Sequence, residues 1–161
     1  HFIAVTAFIF AWLGDVFLLF SFFKGGIMFM VSNILFFIYQ ILLCGVLGLT
    51  FNRIWWFLLI FSACWGLFLL LYKKGWLKIP MKIFIFYIAT VTLHGSMGIA
   101  MAVAYPSLKI ALFGIGLGLF MVSDYFLTLH AFKYKESKSI LRLNSGTYFT
   151  GMLLAALSFS I

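Results

Sequence analysis

"FIAVTAFIFAWLGDVFLLFSFF" (residues 2–23) is an unbroken apolar run that holds one carboxylate, Asp15. The run has the length of a helix that crosses about 30 Å of hydrocarbon. A charge at the middle of such a helix costs about 2.5–3.5 kcal/mol on insertion scales, so the aspartate requires a reason. The rest of the chain has the same character: 66% of its 161 residues are hydrophobic, 9% are charged, and only two are proline. Soluble domains are closer to half apolar and a quarter charged, so this excess has no soluble core to occupy. The reading is an all-α, polytopic transmembrane helical bundle forming a single domain.

Apolar runs and their breaks give six spans, at about 2–23, 26–50, 54–72, 82–104, 108–132 and 143–161. The breaks are Lys24-Gly25-Gly26, Asn52-Arg53, Lys73 to Lys82, Pro106 to Lys109, and "KYKESKSILR" at 133–142. Trp55, Trp56 and Trp76 stand beside basic breaks, where interfacial aromatics belong. The first span lacks a basic leader and a small-residue cleavage site, which excludes a signal peptide. Cys44 and Cys64 lie inside apolar runs without metal-ligand spacing and read as buried thiols; no metal or cofactor is expected.

The net charge of +8 does not point to nucleic acid, because the basic residues sit in short breaks and form no single polar face. Odd-numbered loops hold Lys24, Lys73, Lys74, Lys78, Lys82, Lys133, Lys135, Lys138 and Arg142, whereas even-numbered loops hold only Arg53 and Lys109. This asymmetry places the odd loops in the cytoplasm and both ends of the chain outside, in a membrane of the bacterial cytoplasmic type. The same loops would attract anionic lipid headgroups. Oligomeric state is not legible.

Of three acids, Glu136 lies in the basic fifth loop, and the other two share their surroundings. "DVFLLFSFFK" (15–24) and "DYFLTLHAFK" (124–133) coincide at Asp, Phe, Leu, Phe and Lys, at a constant offset of 109 residues. This reads as a parallel internal duplication. Nine residues at 1.5 Å each put Asp15 and Asp124 about 13–14 Å from the lysine level, close to the bilayer midplane. Asn33, nine residues after Lys24, returns to that layer, and His94 lies slightly deeper. Two acids, an amide and an imidazole therefore share one depth. Intramembrane acids are rare and usually functional, which makes Asp15 and Asp124 the candidate catalytic pair. Gly26, Asn33 and Gln40 form one stripe on the second span, and Tyr87, Thr90, His94, Met97 and Met101 form another on the fourth. Gly114 and Gly118 permit close approach of a neighbouring helix. No serine-hydrolase elbow, HExxH or phosphate-binding glycine loop occurs, and Trp12 replaces the first glycine of the GxGD motif of intramembrane aspartyl proteases.

Four stretches carry a family resemblance: "LGDVFLLF", "GGIMFMVSNILFFIY" ending at Tyr39, "GIGLGLFMVSDYFL" containing Ser123-Asp124, and "TYFTGMLLAALS" beginning beside Tyr148. In order and spacing the chain resembles the lysoplasmalogenase, or YhhN-like, family of integral membrane proteins. Asn33 stands where that pattern usually has His, and Met152 near where it has Gln or His. The resemblance implies about eight helices in the full protein, two of them before His1. It also implies a lysophospholipid-type substrate whose vinyl ether is hydrolysed to a fatty aldehyde and a glycerophospho-alcohol. Asn33, His94, Tyr39, Ser123 and Tyr148 would be supporting polar residues. A vinyl ether resists nucleophiles but hydrolyses once its β-carbon is protonated, so a general acid is needed, with a second carboxylate to activate water. Two buried acids sharing a site hold one proton between them, which suits that division. Paired midplane acids also suit a proton-coupled transporter, or a non-catalytic protein that uses them for assembly.

Overall fold

A computed structural model describes residues 2–50, 55–75, 83–105 and 107–161, and these are helical with short connections. The helices are α1 (Phe2–Leu18), α2 (Phe22–Val46), α3 (Trp56–Lys73), α4 (Ile83–Ala104), α5 (Leu108–Phe132) and α6 (Lys138–Leu157). Four stretches, Phe22–Val46, Trp56–Lys73, Phe84–Ala104 and Leu108–Phe132, are long and apolar enough to cross a membrane. α1 is shorter, at 17 residues, and α6 carries Lys138, Arg142, Asn144 and Ser145 in its first turns. The chain is a helical membrane protein. Asn52, Arg53, Trp76, Lys78, Lys82 and Pro106, which mark or flank breaks in the sequence, lie outside the described residues.

Two helix starts differ from the sequence expectation. The first break falls at Leu19–Phe20, not at Lys24-Gly25-Gly26. Ser21, in extended conformation, caps α2 by accepting the Lys24 backbone N–H, so the lysine and both glycines become the first turn of α2. Gly25 serves close packing there: a Cβ on it would come within 2.7 Å of the Leu18 side chain and 3.0 Å of the Gly14 carbonyl. Likewise Ser137 accepts the Ile140 N–H and starts α6 at Lys138, which turns the second half of the basic loop into helix. Ser107 caps α5 in the same way. α2 ends through Gly48, whose φ of +63° lets the Leu49 N–H reach the Cys44 carbonyl at 2.9 Å.

Packing runs α1–α2–α4–α5–α6, with α3 laid against the outside of α4. Apolar side chains gain little by leaving lipid for a neighbouring helix, so close backbone approach at small residues decides the pairings. α1 turns Ala4, Ala7, Ala11 and Gly14 inward and leaves Phe2, Val5, Ile9 and Trp12 exposed. α5 uses opposite faces: a Cβ on Gly114 would strike the Gly98 carbonyl of α4, and one on Gly116 would lie 2.7 Å from the Gly151 carbonyl of α6. Gly118 also meets α4, at Ile99. α5 is thereby held between two helices, with Phe113, Leu117 and Phe120 fully enclosed.

Candidate functional site

Asp15 on α1 and Asp124 on α5 line one cavity of about 130 Å³. A water molecule occupies about 30 Å³ of liquid, so the chamber accommodates a few waters or the polar part of a larger ligand. Its wall is completed by Phe29 from α2, Ser123 from α5, and Asn144, Ser145 and Tyr148 from α6. Gly14 lets the Phe29 ring reach this position, because a Cβ there would lie 2.9 Å from the ring.

The two carboxyls have unlike surroundings. Asp15 is half-buried, and the Tyr148 hydroxyl donates a hydrogen bond to its Oδ2. Asp124 is buried and its Oδ2 has no hydrogen-bond partner. The Tyr87 hydroxyl of α4 faces the Asp124 carboxyl closely enough to interact with it electrostatically, yet outside hydrogen-bond geometry. Ser123 Oγ, beside it in the same wall, is also buried without a partner. A buried polar group left unpaired costs about 1–3 kcal/mol. Such groups accumulate at this level of α4 and α5, where hydrocarbon packing would have been easier.

A second polar group lies behind an aromatic wall. Phe120 packs its ring 5.5 Å from Tyr148 on one side and 5.5 Å from the His94 imidazole on the other. His94 also stacks on Phe36 at 6.0 Å, and its Nδ1 lies 3.3 Å from the Thr90 carbonyl. A carbonyl only accepts, so that contact puts the proton on Nδ1 and leaves Nε2 an acceptor. Nε2, both amide atoms of Asn33, Gln40 Oε1 and Ser96 Oγ are buried without partners. Gln40 spends its amide on the His94 backbone carbonyl, at 2.9 Å, tying α2 to α4.

Of the residues expected at the site, the fold brings Asp15, Asp124, Ser123 and Tyr148 to one cavity. Asn33 and His94 are buried but do not line it. Tyr39 lines a different cavity with Tyr105, Lys109 and Phe113, its ring 5.5 Å from that of Phe113. Tyr87, Asn144 and Ser145 were missed as site residues. Asn144 and Ser145 sit one turn before Tyr148 on α6, and that three- to four-residue spacing, which places them on its side of the helix, is the signal for them in the sequence. Among the described residues, no three His, Cys, Asp or Glu side chains gather as a metal site.

No curated protein and no solved structure matches the chain. The YhhN family model matches residues 1–159, and the chain belongs to the YhhN family.

Proposed function

We propose that this YhhN-family protein is a membrane-embedded hydrolase that cleaves the vinyl ether of lysoplasmalogens, with Asp124 as general acid and Asp15 as general base. The observation that carries the reading is the meeting of the two aspartates, 109 residues apart in sequence, in one small cavity. Their surroundings suit opposite roles. Asp15 accepts the Tyr148 hydroxyl, as an anion does, whereas Asp124 has no donor on Oδ2 and enters the reaction as the neutral acid. The Asp124 proton goes to the β-carbon of the vinyl ether, and the carbon bonded to oxygen becomes an oxocarbenium ion. Water attacks that carbon while Asp15 takes its proton, giving a hemiacetal. Collapse of the hemiacetal moves its hydroxyl proton to the leaving glycerol oxygen and releases the aldehyde. Transfer of the proton from Asp15 to Asp124 restores the pair. Ser123, Asn144 and Ser145 offer hydrogen bonds to the water or to the glycerol hydroxyl.

The wider arrangement in this reading is six crossings, odd loops in the cytoplasm, and a parallel repeat relating α1 to α5. The substrate's alkyl chain stays among apolar helices while the basic loops attract its phosphate. Asp124→Asn and Asp15→Asn should each lower aldehyde release from a lysoplasmalogen by about 10²–10⁴-fold, with ester lysolipids never cleaved. Undiminished vinyl ether turnover in either variant would remove the catalytic pair. A proton-coupled carrier is the second reading, favoured by the unpartnered interior groups Asn33, His94 and Ser96 beyond the cavity. Proton-dependent solute flux in proteoliposomes, without aldehyde release, would select it.

A further inference from the structure

The aspartate cavity has a neighbour. A wider depression of about 450 Å³ at the lysine end of the bundle is lined by Leu18, Phe22, Leu127, His130, Phe132 and Lys135. Leu18 and Leu127 also line the aspartate cavity, so the two spaces meet at these side chains. Each leucine lies three residues after its aspartate, about 4.5 Å along the helix, and the two leucines keep the offset that relates Asp15 to Asp124. Beyond them, among the described residues, the ionisable groups lining the depression are His130 and Lys135. Neither has a hydrogen-bond or ion-pair partner among the described residues. Glu136 faces a separate shallow depression beside Lys135.

We propose that His130 and Lys135 form the phosphate subsite of a single-chain phospholipid, whose glycerol passes between Leu18 and Leu127 to the aspartates. The dimensions agree. His130 is six residues from Asp124, about 9 Å along α5, which is the reach of a glycerol backbone with its phosphate. The depression combines apolar Phe22 and Phe132 with basic His130 and Lys135 in one lining, which suits an amphiphile better than a free anion. A lysine ammonium and an imidazole donate charge-assisted hydrogen bonds to a phosphate monoanion, and both sit where the chain meets the headgroup layer. The identity of the lipid rests on the hydrolase reading above; the phosphate subsite itself does not.

The test uses ligands without a vinyl ether, so binding is read apart from chemistry. The full chain in nanodiscs is titrated with a saturated 1-O-alkyl lysophospholipid and with the corresponding uncharged 1-O-alkylglycerol. The double variant His130→Gln/Lys135→Gln should weaken the phospholipid by about tenfold or more and leave the ratio of the two affinities near one. Lys109→Gln, at the other end of α5, should keep the native ratio. Equal weakening of both ligands by the double variant would assign the residues to structure and overturn the proposal, as would an unchanged ratio. Displacement of the phospholipid by inorganic phosphate alone at equal concentration would make this a free-anion site and also overturn it. Phosphate-selective binding together with a failure to release aldehyde would keep the subsite and discard the hydrolase.

Discussion

Tyr148→Phe removes one hydroxyl and leaves the wall of the cavity standing. The ring keeps its packing against Phe120 at 5.5 Å, Phe29 at 6.4 Å and Phe149 at 5.3 Å, so the cavity retains its shape. What disappears is the donor to Asp15 Oδ2. A hydrogen bond to a charged group contributes about 1.5–3 kcal/mol. If that bond aims the carboxylate at the attacking water, the loss falls on the transition state and lowers kcat about 10–150-fold with little change in KM. The assay is aldehyde release from a lysoplasmalogen, coupled to an aldehyde dehydrogenase, on protein whose thermal unfolding is followed in parallel. Asp15→Asn supplies the second edge of a double-mutant cycle. Once Asp15 is gone, Tyr148→Phe should cost little more, because both substitutions interrupt the same interaction. A kcat within twofold of the parent, or full additivity of the two losses, would refute the assignment of Asp15 as the oriented base.

Other consequences follow from packing and topology. Gly116→Ala would put a Cβ 2.6 Å from the Ala155 backbone nitrogen and should lower stability against denaturant by about 1–3 kcal/mol, whereas Gly66→Ala, with nothing within 4 Å, should leave it unchanged or slightly raised. Gln40→Met should lose about 0.6–2 kcal/mol through the His94 carbonyl bond, read from thermal unfolding in detergent. Single cysteines at exposed Lys74 and Lys109, on a background without Cys44 and Cys64, test orientation with a membrane-impermeant thiol reagent in intact cells. The Lys109 position should react from outside and the Lys74 position only after permeabilisation; labelling of both from outside would contradict the assigned topology.

The two-acid arrangement explains why an apolar chain retains costly groups. Asp15 has a donor, whereas Asp124 Oδ2, Ser123 Oγ and the Tyr87 hydroxyl have no partner, and these atoms lie on α4 and α5. The groups behind Phe120 extend this polarity deeper into the bundle, beside an imidazole acceptor that no protein donor meets.

The helices were legible because the constraint that makes them is local. A backbone in hydrocarbon must satisfy its own N–H and C=O groups, so each long apolar run has one available structure, and length alone marks it. The depth count was not legible for Asp15, because α1 ends at Leu18 and Lys24 belongs to the first turn of α2, so no continuous helical rise joins that lysine to the aspartate. The helix starts at Ser21 and Ser137 were readable in principle, but glycine at 25–26 looked like a turn when it was a packing contact. Depth does not determine which way a side chain faces. Tyr148 and Tyr39 are both tyrosines from stretches that carry the family pattern, yet one reaches Asp15 and the other packs on Phe113 in another cavity. That choice is made by helix rotation and neighbour order, which depend on where Gly98 meets Gly114 and where Gly116 meets Gly151. The sequence by itself determined the long apolar helices among the described residues and singled out the polar groups within them. Only the tertiary structure decided which of those groups share a cavity, because contacts between helices are short-ranged and set by the shapes of both partners.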